Sequence, residues 1–192
     1  MIEALLSKLP QWLQDEMKKC GRTFPGEEER MAYAISLSRR NVEEGTGGPF
    51  GAAIFERSSG RLVSIGVNLV IRSNCSHAHA EMMAIALAEQ TLGCYNLSEC
   101  EEKGYELVTS CEPCAMCFGA IPWSGVNRVV SGAKDADARS IGFDEGPKLP
   151  SWADALRERG IEVEEGVCRE EAAEVLRFYV DSGGSIYNGM GD

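Results

Sequence analysis

The sequence predicts a three-layer α/β/α sandwich, with helices on both faces of a mixed sheet. Two observations carry this expectation. Short strand patterns alternate with helical ones along most of the 192 residues, as they do when helices cover a sheet. Hydrophobic residues make up 44% of the chain, enough for a core in a single domain of this length.

The elements follow in order. Residues 3–19 read as a short amphipathic helix broken at Pro10. Glu27 to Glu44 forms a second helix, because Met31, Ala34, Ile35, Leu37 and Ser38 recur near a period of 3.6. Gly45 stops it, and Gly45–Pro49 is a loop. Gly51–Glu56 and Leu62–Val67 are strands joined as a hairpin at Ser58-Ser59-Gly60. Ala78–Gln90 is apolar nearly all round and reads as a buried helix. Glu106–Ser110 is a strand leading into a helix over Cys114–Ile121, which Pro122 is expected to end. Val126–Ser131 is a further strand. Residues 134–150, rich in Gly, Asp and Pro, read as a loop. Trp152–Arg159, Ile161–Val167 and Arg169–Val180 close the chain as helix, strand and helix. Residues 1–26 are thus a helical extension, and 27–192 the main domain with its tail.

Charge narrows the partners. A net charge of −11 disfavours a polyanion, since phosphate backbones recruit Lys and Arg. A neutral small molecule suits it better. The first residues carry Glu3 and Pro10 where an export signal would have a basic flank and an apolar run. No run of about 18 apolar residues is present to span a membrane. A cytoplasmic protein is expected, with its eight cysteines reduced or bound to metal. Cys20, Cys75, Cys94, Cys100 and Cys168 have no ligand-like spacing and read as ordinary thiols.

The chemistry concentrates in His79-Ala80-Glu81 and Pro113-Cys114-Ala115-Met116-Cys117. Cys114 and Cys117 fall one turn apart on the same helix face. They open a helix, whose positive end favours the thiolates that bind metal. His79 adds a third ligand. This is the inventory of a catalytic zinc site, with one position left for water. Glu81 lies roughly 200° around a helix from His79, which makes it a neighbour of the metal and a candidate proton shuttle. A closed structural site would need a fourth ligand, for which Cys111 and His77 are available.

These two half-motifs form the H-x-E…P-C-x-x-C pattern of zinc-dependent nucleobase deaminases. With Gly48-Pro49-Phe50-Gly51-Ala52, Gly66-Val67-Asn68, the full Ser110–Ile121 stretch, Trp123-Ser124-Gly125 and Ile141-Gly142-Phe143-Asp144-Glu145, the chain resembles the cytidine deaminase-like superfamily. Trp123 and the Ile141–Glu145 segment resemble its bacterial-type guanine deaminases. The resemblance implies a five-stranded sheet and one zinc ion per chain. It implies hydrolysis of guanine to xanthine and ammonia, with zinc-bound hydroxide as nucleophile. Phe50 would then stack on the base, and Asn68 would hydrogen-bond it. The backbone near Ala80 would meet the substrate carbonyl, and Trp123 would line the pocket. Glu145 would hold and protonate the leaving amine. The family pattern also implies a homodimer, in which the segment around Tyr187-Asn188 can close the partner's site. Another amino-heterocycle remains the alternative substrate (an ammeline-like triazine, cytosine or tRNA adenosine), as does a non-catalytic zinc module.

Overall fold

The computed structural model describes residues 9–100 and 104–188. Among the described residues the first helix, α1 (Gln11–Met17), starts after Pro10; residues 3–8 of the expected helix lie outside the described residues. Then come α2 (Glu27–Glu43), β1 (Gly51–Glu56), β2 (Leu62–Val67), a one-turn helix α3 (Val70–Ser73) and α4 (Ala80–Leu92). After a 3₁₀ turn at Leu97–Glu99 follow β3 (Tyr105–Cys111), α5 (Ala115–Ser124), β4 (Arg128–Ala133) and α6 (Asp135–Ser140). The chain ends with α7 (Trp152–Arg157), β5 (Glu162–Glu165) and α8 (Arg169–Asp181).

The sheet has five strands in the order β2-β1-β3-β4-β5. β1 is antiparallel to β2 and β3, while β3, β4 and β5 run parallel, so the sheet is mixed as expected. Alternation along each strand divides the core in two. Ala53, Phe55, Val108 and Val130 face α1, α2 and α8 through Leu13, Met31, Leu37, Val175 and Leu176. Ala52, Ile54, Leu107 and Val129 face α4, α5 and α7 through Ala84, Ala88, Ile121 and Leu156.

Several boundaries differ from the sequence reading. Pro122 does not end α5, which runs on to Ser124 and stops at Gly125 in the left-handed conformation (φ 75°). Proline here costs one backbone bond, the one to the Phe118 carbonyl, and Ser124 Oγ donates to the Ile121 carbonyl at 2.8 Å in the last turn. The expected loop over 134–150 contains α6. The Asp137 carboxylate accepts the Lys134 N–H at 2.8 Å, and Arg139 pairs with Asp135 one turn away, at 2.6 Å. Cys94 and Cys100 are not ordinary thiols. The 3₁₀ turn between them folds the chain back, bringing their Cα atoms to 6.1 Å, and they are paired as a disulfide.

Two glycines let helices lie close on the sheet. A methyl on Gly66 would overlap the Ala80 carbonyl oxygen and the Ala84 amide of α4, and one on Gly51 would meet Ala34 and Ser38 of α2. Gly66→Ala is therefore expected to cost about 1–3 kcal/mol by overpacking. Because α4 carries the His79-Glu81 half-motif, metal affinity should fall together with the melting temperature; a variant that melts like the parent would contradict this packing.

Candidate active site

The strand register gathers the expected site residues at one edge of the sheet. Gly51 pairs with Val67, Ala52 with Thr109 and Cys111 with Ala133. Phe50 just before β1, Asn68 just after β2, the Glu112–Cys114 turn after β3 and the loop after α6 therefore emerge together. Ligands gather at the carboxyl ends of parallel strands in α/β sheets. The cavity there is lined by Phe50, Asn68, His79, Ala80, Glu81, Glu112, Cys114, Phe143, Glu145 and Tyr187.

His79 is the N-cap of α4, and Cys114 is the N-cap of α5 with Cys117 one turn in. The ligand atoms of His79, Cys114 and Cys117 all lie within 4.8 Å of one another. His79 Nδ1 is 3.5 Å from Cys114 Sγ and 3.6 Å from Cys117 Sγ. Ligands at ordinary Zn–S and Zn–N distances and tetrahedral angles sit about 3.5 Å apart, so this donor set fits zinc. Cys111 and His77 stand outside the cluster. Cys111 is buried with its thiol toward the Lys134 carbonyl at 3.8 Å, and His77 is exposed beside Cys75.

The electrostatics suit a cation at the cluster. A hydrogen bond from Cys117, joined by contacts with His79, outweighs burial and draws the Cys114 thiol down to about 4. Donating to that thiolate, being buried and facing Glu81 push Cys117 well up. The two sulfurs do not both lose their protons readily on their own, and a divalent ion would satisfy both. Burial pulls the His79 imidazole down, but its hydrogen bond to Cys114 and the charges of Cys114, Glu81 and Glu145 leave it raised overall.

Glu81 sits beside the cluster of His79, Cys114 and Cys117. Its Oε1 accepts from Thr109 Oγ1 at 3.3 Å, and its Oε2 accepts from the Cys117 thiol at 3.4 Å. Burial and the Cys114 charge raise it above the ordinary carboxylate range, against the pull of His79. Burial pushes Glu145 up to about 8, with the charges of Cys114 and Glu81 adding and Lys148 opposing. Two carboxyls whose affinity for protons is raised by burial are suited to proton transfer.

Aromatic rings and one amide form the opposite wall. Phe143 meets Phe50 edge-on at 5.0 Å and Tyr187 at 5.5 Å. The Asn68 side chain is buried and hydrogen-bonded to the Tyr187 hydroxyl. Asn188 fixes the tail by accepting from Asp144 N at 2.9 Å and donating to the Gly142 carbonyl at 3.2 Å. Tyr187 therefore closes the site of its own chain.

Trp123 is a correction. It is 82% exposed on α5, outside the cavity. It lies about two and a half helical turns beyond Cys114, which turns it to the opposite side of the helix. Glu112 and Phe143 are wall residues the sequence reading gave no role, although both fall within motifs it singled out. For Glu112, the signal was a carboxylate two residues before the ligand-spaced Cys114.

Comparison with known proteins agrees with this geometry. The cytidine and deoxycytidylate deaminase zinc-binding region matches residues 26–133. The chain is 44% identical over 112 residues to guanine deaminase of Bacillus subtilis, covering 58% of this chain and 67% of that protein. It is 30% identical over 153 residues to the tRNA-specific adenosine deaminase of Haemophilus influenzae, covering 80% and 82%. The solved structure of guanine deaminase from Nitrosomonas europaea superposes with a TM-score of 0.85 at 44% identity, covering 89% of this chain and 93% of that one. With more than half its length matched to that region, and the two halves of the motif meeting in one cavity, the chain belongs to the cytidine and deoxycytidylate deaminase family, which binds zinc.

Proposed function

We propose that this protein is an aminohydrolase that converts guanine and water to xanthine and ammonia. The observation that carries the reading is the placement of two buried carboxyls, Glu81 and Glu145, in the same cavity as the His79, Cys114 and Cys117 cluster. The two guanine deaminases of similar sequence support guanine over other amines. The net charge of −11 argues against a tRNA substrate.

His79, Cys114 and Cys117 would hold zinc, which when bound acts as a Lewis acid and lowers the pKa of water to about 7. Glu81 takes the proton of the attacking water and delivers it to the base. Glu145 holds the exocyclic amine and protonates it as it departs, since an unprotonated amine leaves poorly. Phe50 offers its face to the planar base. Asn68 supplies directional hydrogen bonds. The Ala80 N–H, at the positive end of α4, meets the carbonyl oxygen. The free cavity is about 30 Å³, room for a few waters at most. Entry of a purine therefore requires the lining to open.

The test is to incubate metal-loaded protein with guanine and quantify xanthine and ammonia. Turnover of cytosine, ammeline or tRNA adenosine without turnover of guanine would reject the reading. Asn68→Ala should lower kcat/KM for guanine by about 10–100-fold, the cost of leaving a buried polar partner unmet. Activity equal to the parent would remove Asn68 from the recognition wall.

The reading extends to the rest of the chain. Residues 1–26 are proposed as an extension of the deaminase domain at 27–192, its described part, 9–26, packing on that domain. Leu9, Trp12 and Leu13 support this by entering the core, and Trp12 donates to Thr46 Oγ1 at 3.1 Å. Among the described residues no helix is long and apolar enough to cross a membrane. A cytoplasmic homodimer is part of the proposal. The surface beside α4 and α5, where Trp123 and Tyr95 are both largely exposed, supports pairing with a second copy.

A further inference from the structure

We infer that Lys148 is a positioning residue: paired with Glu112, it ties the loop that carries Glu145 to the turn that carries Cys114. The inference rests on the role proposed for Glu145. No helix or strand supports that carboxyl, because residues 141–151, between α6 and α7, are irregular. Something else must hold it against the cavity.

The ties available to this loop differ in kind. Arg139 reaches the Gly146 carbonyl at 3.1 Å and Asp144 Oδ1 at 3.4 Å, but it does so in water, where such contacts contribute little. Asn188 contacts Gly142 and Asp144 from the exposed tail. Ala115 N donates to the Glu145 carbonyl at 2.9 Å, fixing the backbone at one point. Lys148 is the buried tie. Its side chain is 4% exposed, and its Nζ lies 2.8 Å from Glu112 Oε2, whose side chain is 8% exposed. Asp135 Oδ1 stands 3.7 Å away, and the ammonium lies 4.9 Å from the centre of the Trp152 ring.

This arrangement connects three parts of the site. Glu112 is two residues before Cys114 and lines the cavity. Lys148 is three residues after Glu145, and its own N–H donates to the Gly146 carbonyl at 2.9 Å. Trp152 begins α7 and is buried in the core behind the sheet edge. Removing the ammonium leaves the Glu112 carboxylate buried without its partner and free to turn into the cavity. Phe143 still holds one end of the loop in the core, but the end after Glu145 loses its buried ionic anchor, and Glu145 shifts. A displacement of about 1 Å at a reacting group can cost about 100-fold in rate.

The test uses zinc-loaded, full-length protein as wild type, Lys148→Met, Lys148→Arg and the double variant Lys148→Met/Glu112→Gln. Three quantities are read: kcat and KM for guanine, zinc per chain, and hydrogen exchange in peptides covering residues 143–148 against those covering β3. Lys148→Met should lower kcat by about 10–100-fold with KM nearly unchanged. Zinc content should stay at the wild-type level, and exchange should quicken over 143–148 while β3 stays protected. Lys148→Arg should recover most of the rate. The double variant should be no slower than Lys148→Met, because both changes break one link. A Lys148→Met protein with wild-type kcat, or one whose activity falls only in step with lost zinc or folded fraction, overturns the inference. If the wild type does not turn over guanine, the functional reading fails, and exchange over 143–148 still decides whether Lys148 anchors the loop.

Discussion

Glu81→Gln is expected to abolish almost all turnover, by about 10²–10⁴-fold in kcat, while leaving one zinc per chain. The carboxyl is not among the metal-binding atoms, and an amide of the same shape keeps the packing against Thr109 and Cys117. What the amide lacks is a proton that it can take from water and give to a ring nitrogen. Single-turnover rates and elemental analysis of the same sample separate the two effects. Retained activity refutes the shuttle; parallel loss of zinc and activity would make Glu81 a structural support of the metal cluster.

Glu145→Gln should lower kcat by about 10²–10³-fold with a small change in melting temperature. The pH profile adds a sign that can be checked. Burial raises this carboxyl from its ordinary 4.5 to about 8, so at pH 7 it is mostly protonated and able to donate. Its acid role is intact below the raised value and is lost as pH rises through it. The wild-type kcat profile should therefore bend down above about pH 8, and the residual activity of Glu145→Gln should lack that bend. A variant with unaltered kcat and the same alkaline limb would reduce Glu145 to a bystander.

The legible part of this site was the part written in local spacing. Cys114, the N-cap of α5, and Cys117 one turn in come close because three residues make nearly a turn. His79 is instead an extended N-cap residue, so it and Glu81 part because α4 begins between them and not by rotation within a helix. The cysteine spacing and the two-residue step from His79 to Glu81 are local, so the ligand set and its neighbouring acid could be read from the residues, although the in-helix angle expected between His79 and Glu81 does not apply. Helix α2 was legible through its period of 3.6, α4 through a nearly continuous apolar run, and β1 and β2 through the hairpin signal at Ser58-Ser59-Gly60. Trp123 was not, since an aromatic side chain can serve a pocket or a surface, and only the rotation of α5 tells which. The Lys148–Glu112 pair joins residues separated by all of α5, β4 and α6, and no local pattern signals such a contact. Cys94 and Cys100 escaped because a spacing of six residues has no signature until a 3₁₀ turn folds it. Helix α6 was hidden in a stretch of Asp and Gly whose capping value depends on which Asp reaches which N–H.

The central claim is that one imidazole and two thiolates hold zinc with a vertex left for water. X-ray absorption at the zinc edge of the purified protein tests it most directly. The account predicts stoichiometric zinc with two sulfur neighbours at about 2.3 Å and two lighter ones at about 2.0–2.1 Å, one of them exchangeable with small anions. A third sulfur, a second imidazole that no added anion displaces, or protein that cannot retain zinc would contradict it.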